Sequence, residues 1–282
     1  MKRFINVAYK LWCEPCAILP EMHRQICNIV QAHIDGMAHN PDGVAQIYTD
    51  AQKEQMPKYQ VVDGIAIVPI QGVLDNKVSQ TMRMSGAMGL DDIEHMLVQA
   101  IEDDEVEGIM LDVDSPGGSV TGIPELAKKI RATKAQKPVA AFTDSIAASA
   151  AYWLMAPADV IYASESAKVG SIGVYMAWLD TSRQFEMEGL RTEIIKVGKW
   201  KAMGLPGTSL TDDERALLQA SVDKVAAWFK GFVVSARGGV DSDTMQGQVF
   251  FADEAVANNL IDKVGSVDDA MAELRALIEA RR

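Results

Sequence analysis

From Tyr59 onward, apolar runs that read as strands alternate with stretches spaced as amphipathic helices, and no other feature restricts the fold as much. Residues 61–74 are rich in Val and Ile and predict strands. Across 90–101, Ile93, Met96, Leu97, Ala100 and Ile101 fall on one helical face, with Asp91 and Asp92 in the first turn, where unpaired N–H groups favour carboxylates. Next come a strand at 106–113, a helix at 123–132, a strand at 138–142, a short helix at 147–155, and strands at 160–162 and 172–176. A helix at 179–189 and a strand at 192–197 follow. Thr211 and Glu214 form a capping box that opens a long helix over 212–237, stopped by Gly238 and Gly239, and a last helix covers 267–280. A helix between successive strands carries the chain back across the sheet, so the strands pair in parallel. The expected fold is α/β, built from repeated βαβ units around a parallel sheet, with C-terminal helices.

Residues 1–58 have a different texture. Helical patterning at 19–34 gives way to Gly36, Asn40, Pro41, Asp42 and Gly43, then to a polar stretch at 49–58. They read as a helical leader that packs on a neighbour or is removed, ahead of a domain at 59–282. The net charge of −12 argues against a nucleic-acid surface. The longest mostly apolar stretch, 146–156, is well short of the roughly 20 residues a bilayer requires, and Asn6, Lys10 and Glu14 interrupt any signal-like run. No membrane anchor is expected. Cys13, Cys16, His23 and Cys27 raise zinc, but the six residues between Cys16 and His23 fit no common knuckle and apolar neighbours surround them. They read as buried thiols, and neither metal nor cofactor is expected.

Two segments of small residues could carry chemistry. The run 114–119, Asp-Ser-Pro-Gly-Gly-Ser, follows a strand and reads as a turn whose main-chain N–H groups could face an oxyanion or a phosphate. No Walker lysine accompanies it, which disfavours a nucleotide. In the second, Ala147, Ala148, Ala150 and Ala151 leave the Ser149 hydroxyl approachable at the start of a helix. Taken alone, each is also an ordinary packing element. A nucleophilic serine requires a base. Three of the four histidines, His23, His33 and His39, lie in the leader, and His95 sits in a helix far upstream. Lysine is the remaining choice, and Lys201 lies among apolar residues beyond a strand, with Lys199 nearby.

Four motifs in order give these residues a context: Ser-Pro-Gly-Gly at 115–118, Ala-Ala-Ser at 147–149 with Tyr152 and Trp153 behind it, Val-Gly-Ser-Ile-Gly-Val at 169–174, and Gly-x-x-Lys at 198–201. Over residues 59–265 the chain resembles the signal peptide peptidase A family, the S49 serine peptidases with a ClpP/crotonase-like fold. The resemblance implies Ser149 as nucleophile, Lys201 as general base, Ser171 as the residue orienting the lysine, and Gly118 as an oxyanion donor; the Ala150 N–H would be a second donor. Family members often have glycines after the nucleophile, where this chain has Ala150 and Ala151. The resemblance also implies a homo-oligomeric ring in which the lysine is supplied by a neighbouring subunit. Without an anchor, and with Trp12, Glu14 and Pro15 in the leader, the chain looks most like the phage capsid-maturation peptidases. The expected partners are then protein substrates such as scaffold, portal or coat proteins. The expected location is the bacterial cytoplasm, inside the phage prohead. Rival readings are a housekeeping signal-peptide-peptidase-like protease, a crotonase-type acyl-CoA enzyme, and a non-catalytic assembly protein of the same fold.

Overall fold

The computed structural model describes residues 15–34, 58–79, 82–83 and 85–282. Cys13 of the cysteine group and the turn region 36–43 lie outside the described residues. At the centre runs β5 (Gly108–Ser119), twelve residues buried along most of their length. On one edge β5 pairs in parallel with β3 (Ile65–Asp75), from Ile65 opposite Gly108 to Leu74 opposite Gly118. Its other edge forks. The first half pairs in parallel with β6 (Val139–Thr143), which leads to β8 (Val160–Ala163) and β11 (Lys263–Val264). The second half meets β7 (Ile146–Ala148), which leads to β9 (Lys168–Gly170) and the antiparallel β10 (Val249–Phe251). The fork opens where the small-residue motifs lie.

Covered on both faces, these strands are near-continuous apolar runs, as buried parallel strands require. On one face α2 (Leu90–Glu102), α3 (Ile123–Thr133) and α4 (Ala150–Met155) bury Ile93, Met96, Leu97, Leu126 and Leu154 against Val68, Ile70, Leu111 and Val113. On the other, α8 (Val267–Arg281) lays Leu274 and Ile278 over Ile65, Met110 and Phe142. The long helix α6 (Asp212–Arg237) begins at the expected capping box: Thr211 Oγ1 accepts the Glu214 N–H at 3.3 Å, and the Glu214 carboxylate accepts the Thr211 N–H at 3.0 Å. α6 stacks Phe229 on Trp153 of α4, with centroids 4.4 Å apart and planes 1° from parallel.

Five expectations are corrected. The helix expected at 147–155 is split: Ala147 and Ala148 extend to pair with Val169 and Gly170, and the helix starts only after Ser149. The turn expected at 114–119 remains strand through Ser119, because β1 (Cys16–Ile18) lies antiparallel against its last residues. The helix expected at 179–189 is shortened to α5 (Ser182–Met187). The strand expected at 172–176 is reduced to an isolated bridge from Tyr175 to Cys16, and the strand expected at 192–197 does not form. A lone strand leaves its N–H and C=O groups without a ladder, and Ile195 and Val197 stand 98% and 94% exposed. After β1, α1 (Pro20–Ile34) continues the described part of the leader.

Candidate active site

β7 and β9 carry the two serines out of the sheet side by side. Ala148 pairs with Gly170, the Ser149 N–H donates to the Gly170 carbonyl at 2.7 Å, and the Ser171 N–H donates to Gln248 O at 2.6 Å. Both residues are buried, at 1% and 5% exposure. Both also hold positive φ, 57° at Ser149 and 53° at Ser171. Such a backbone costs a side-chain-bearing residue about 1–3 kcal/mol and persists only where surrounding contacts enforce it. Among the described residues five non-glycines share this state, and three of them stand at or beside the residues picked from sequence: Ser149, Ser171 and Ala202.

The helix behind Ser149 is firmly held. Besides the Trp153–Phe229 stack, the buried Tyr152 hydroxyl donates to Leu260 O at 2.8 Å. The Ser149 side chain does not cap this helix, so its hydroxyl is not spent on the backbone that follows. Facing it, the end of β5 is pinned by Ser115, whose hydroxyl donates to Gly72 O at 2.6 Å and accepts the Gly117 N–H at 3.1 Å. That leaves Gly118 to offer the next N–H. A Cβ on Gly118 would fall 1.8 Å from Leu74 O, so β3 and β5 approach this closely only with glycine there. In the first half of β5, the Asp112 carboxyl is held above the usual carboxylate range, first by burial and then by Asp144 and Asp114.

Lys201 is placed differently. It lies in turns between Gly198 and Gly204 with its N–H on Gly198 O at 3.1 Å, and its side chain is exposed. Its neighbour Lys199 pairs with Asp213 at 2.6 Å and sits over the Trp200 ring. No hydrogen bond joins Lys201 to Ser149 or Ser171 within this chain. The fold therefore gathers Ser149, Ser171, Gly118 and Ala150 and leaves Lys201 apart. Sequence reasoning missed Tyr175, which bridges to Cys16 beside the serines, and it missed that residues 16–18 reach this region at all. Among the described residues no group of three metal-ligating side chains converges, and none of the helices is long and apolar enough to cross a membrane.

The profile of Peptidase family S49 matches residues 131–281, more than half of the chain, and its span takes in Ser149, Ser171 and Lys201. The chain belongs to peptidase family S49. Capsid assembly protease C of Escherichia phage lambda is 33% identical over 236 residues, 83% of this chain and 54% of that protein. Head-tail preconnector protein GP5 of Enterobacteria phage P21 is 28% identical over 272 residues, 94% of this chain and 53% of that protein. The chain thus spans about half the length of these curated relatives. Among solved structures, an enoyl-CoA hydratase/isomerase family member aligns over 79% of this chain and 76% of its own, at 17% identity and a TM-score of 0.43.

Proposed function

We propose that this S49 member is a serine endopeptidase with a Ser149–Lys201 dyad that cleaves head or scaffold proteins during phage capsid maturation. The observation that carries the catalytic part is the pair of buried, positive-φ serines, Ser149 and Ser171, held side by side at the ends of β7 and β9. Neutral Lys201, oriented by Ser171, takes the Ser149 proton as Oγ attacks a peptide carbonyl. The N–H groups of Gly118 and Ala150 hold the oxyanion, and the lysine returns the proton to the leaving amine. Water then releases the acyl group from Ser149 by the same steps in reverse.

Lys201 completes this site in an assembly. The segment around it exposes Ile195, Val197, Met187 and Leu190, an apolar surface a solitary chain gains nothing by presenting. In a homo-oligomeric ring a neighbouring copy covers that surface, strips water from Lys201 and so favours its neutral form. The capsid setting, with host cytoplasm and prohead as its location and scaffold, portal or coat proteins as substrates, rests on the names of the two phage relatives.

The test is co-expression with the head proteins encoded beside it, comparing wild type with Ser149→Ala and Lys201→Ala. Head-protein fragments should appear with wild type alone. Equal fragments from all three would remove the dyad, and labelling of Ser149 by a fluorophosphonate separates a silent enzyme from a scaffold-like protein.

A further inference from the structure

The strand β1 enters the sheet at the place the proposed mechanism requires for a substrate. Cys16, Ala17 and Ile18 pair with Ser119, Gly118 and Gly117, and all three are buried, Ala17 completely. On its other edge the strand is held by Tyr175: the Cys16 N–H donates to Tyr175 O at 2.8 Å, and the Tyr175 N–H donates to Cys16 O at 3.1 Å. Behind it, the buried His23 ring of α1 meets the Tyr175 hydroxyl through Nδ1 at 2.7 Å. Burial pushes the Tyr175 phenol up, so this contact stays uncharged on the tyrosine side.

The direction of each peptide group follows from the register. Antiparallel neighbours alternate between pairs that exchange hydrogen bonds and pairs that do not. The Leu19 N–H donates to Pro116 O at 3.0 Å, so two residues back Ala17 and Gly118 form the next bonding pair. Gly118 then turns its N–H to the Ala17 carbonyl. Tyr175 gives the same answer: Cys16 spends both its polar groups there, which aims those of Ala17 the opposite way, toward β5. Gly117 adds a third mark, since a Cβ on it would stand 2.3 Å from Ala17 O and 3.0 Å from the Ala150 nitrogen. The Ala17 carbonyl therefore reaches into the space between Gly118 and Ala150, the two donors assigned above to the oxyanion.

We propose that Cys16–Ile18 is a built-in pseudosubstrate, an added strand that fills the peptide site with Ala17 at the position whose carbonyl would be attacked. The proposal rests on the reading of Ser149 as nucleophile and extends it in two ways. A chain with β1 seated is closed to other peptides, and the tether keeps this competitor at an effective concentration on the order of millimolar. The bound sequence also defines the accepted ligand: an extended, apolar peptide with a small residue at the attacked position, because Ala17 is enclosed on every side.

The experiment compares the full chain with its Ala17→Pro variant, which loses the N–H that ties β1 to Gly118. The probe is a fluorescein-labelled peptide of residues 15–20, Pro-Cys-Ala-Ile-Leu-Pro. It should bind the variant at least about tenfold more tightly than wild type, and deuterium uptake over 115–120 should rise in the variant. Equal peptide binding by two folded proteins, or wild-type exchange over 115–120 already as fast as in the variant, would overturn the proposal. If Ala17→Pro lowers the melting temperature, Tyr175→Phe, which removes only the His23 contact, takes its place with a rise of about threefold expected. A tenfold difference in peptide binding without fluorophosphonate labelling of Ser149 would keep the seated strand and discard the catalytic reading.

Discussion

Around Ser149 the chain supplies every contact itself, with strands on both flanks, Trp153 stacked on Phe229 behind, and Tyr152 bonded to Leu260. Around Lys201 it supplies far less burial: residues 190–196 have no regular structure, Lys201 itself is exposed, and Ile195 is as exposed as in an extended peptide. The nucleophile side can bear two strained serines because dense packing enforces them. The Lys201 side has no comparable packing around it. One chain builds half a site, and the proposed ring builds the remainder.

The comparison breaks first at the nucleophile. Ser149→Ala should lower turnover of a peptide substrate by at least about 1,000-fold with an unchanged melting curve, and Lys201→Ala should do nearly the same. A Lys201→Ala enzyme with wild-type turnover removes the base side altogether. Next, Trp153→Ala should cost about 3–5 kcal/mol in chemical denaturation, because it empties the stack on Phe229. By contrast, Ile195→Asp with Val197→Asp should leave monomer stability within about 0.5 kcal/mol while abolishing oligomers in sedimentation and turnover with them. Retained activity in that monomer would show that Lys201 reaches Ser149 within its own chain.

Smaller effects probe the strain and the charge on the nucleophile side. Ser149→Gly accepts the 57° φ without penalty, so the inactive variant should be more stable by about 1 kcal/mol. Asp112 has its folded-state pKa raised, so the native state loses stability as pH rises through that value. Asp112→Asn should therefore be more stable than wild type at neutral pH, by less than about 1 kcal/mol. Thermal melts across pH should show the gain vanishing once both folded and unfolded carboxyls are protonated, below about pH 4.

Features written in side chains were legible in the sequence. The βαβ alternation, the capping box at Thr211 and the extent of α6 each depend on periodicity or on a hydroxyl three residues from a carboxylate. The juxtaposition of Ser149 with Ser171 was legible only through ordered motifs, because 22 residues separate positions that meet by strand pairing. What escaped was written in the backbone. Nothing in Cys-Ala-Ile announces that it will pair with Gly117, Gly118 and Ser119 about a hundred residues on, since that recognition is made by N–H and C=O groups every residue carries. The strand expected at 192–197 failed for the complementary reason: its side chains suit a sheet, and no edge is there to receive them.

Gly118 has a consequence for how such sequences drift. Its missing Cβ is demanded by the Leu74 carbonyl 1.8 Å from where that atom would be, whether or not any peptide is ever cut. A descendant that abandoned catalysis would still be obliged to keep this glycine, so its persistence testifies to the sheet and not to an active enzyme. Ser149 and Ser171 carry the opposite burden. Freed from selection for chemistry, their positive-φ backbones would pull them toward glycine. In any lineage of this chain, those two codons are the ones in which loss of the enzyme would first be recorded.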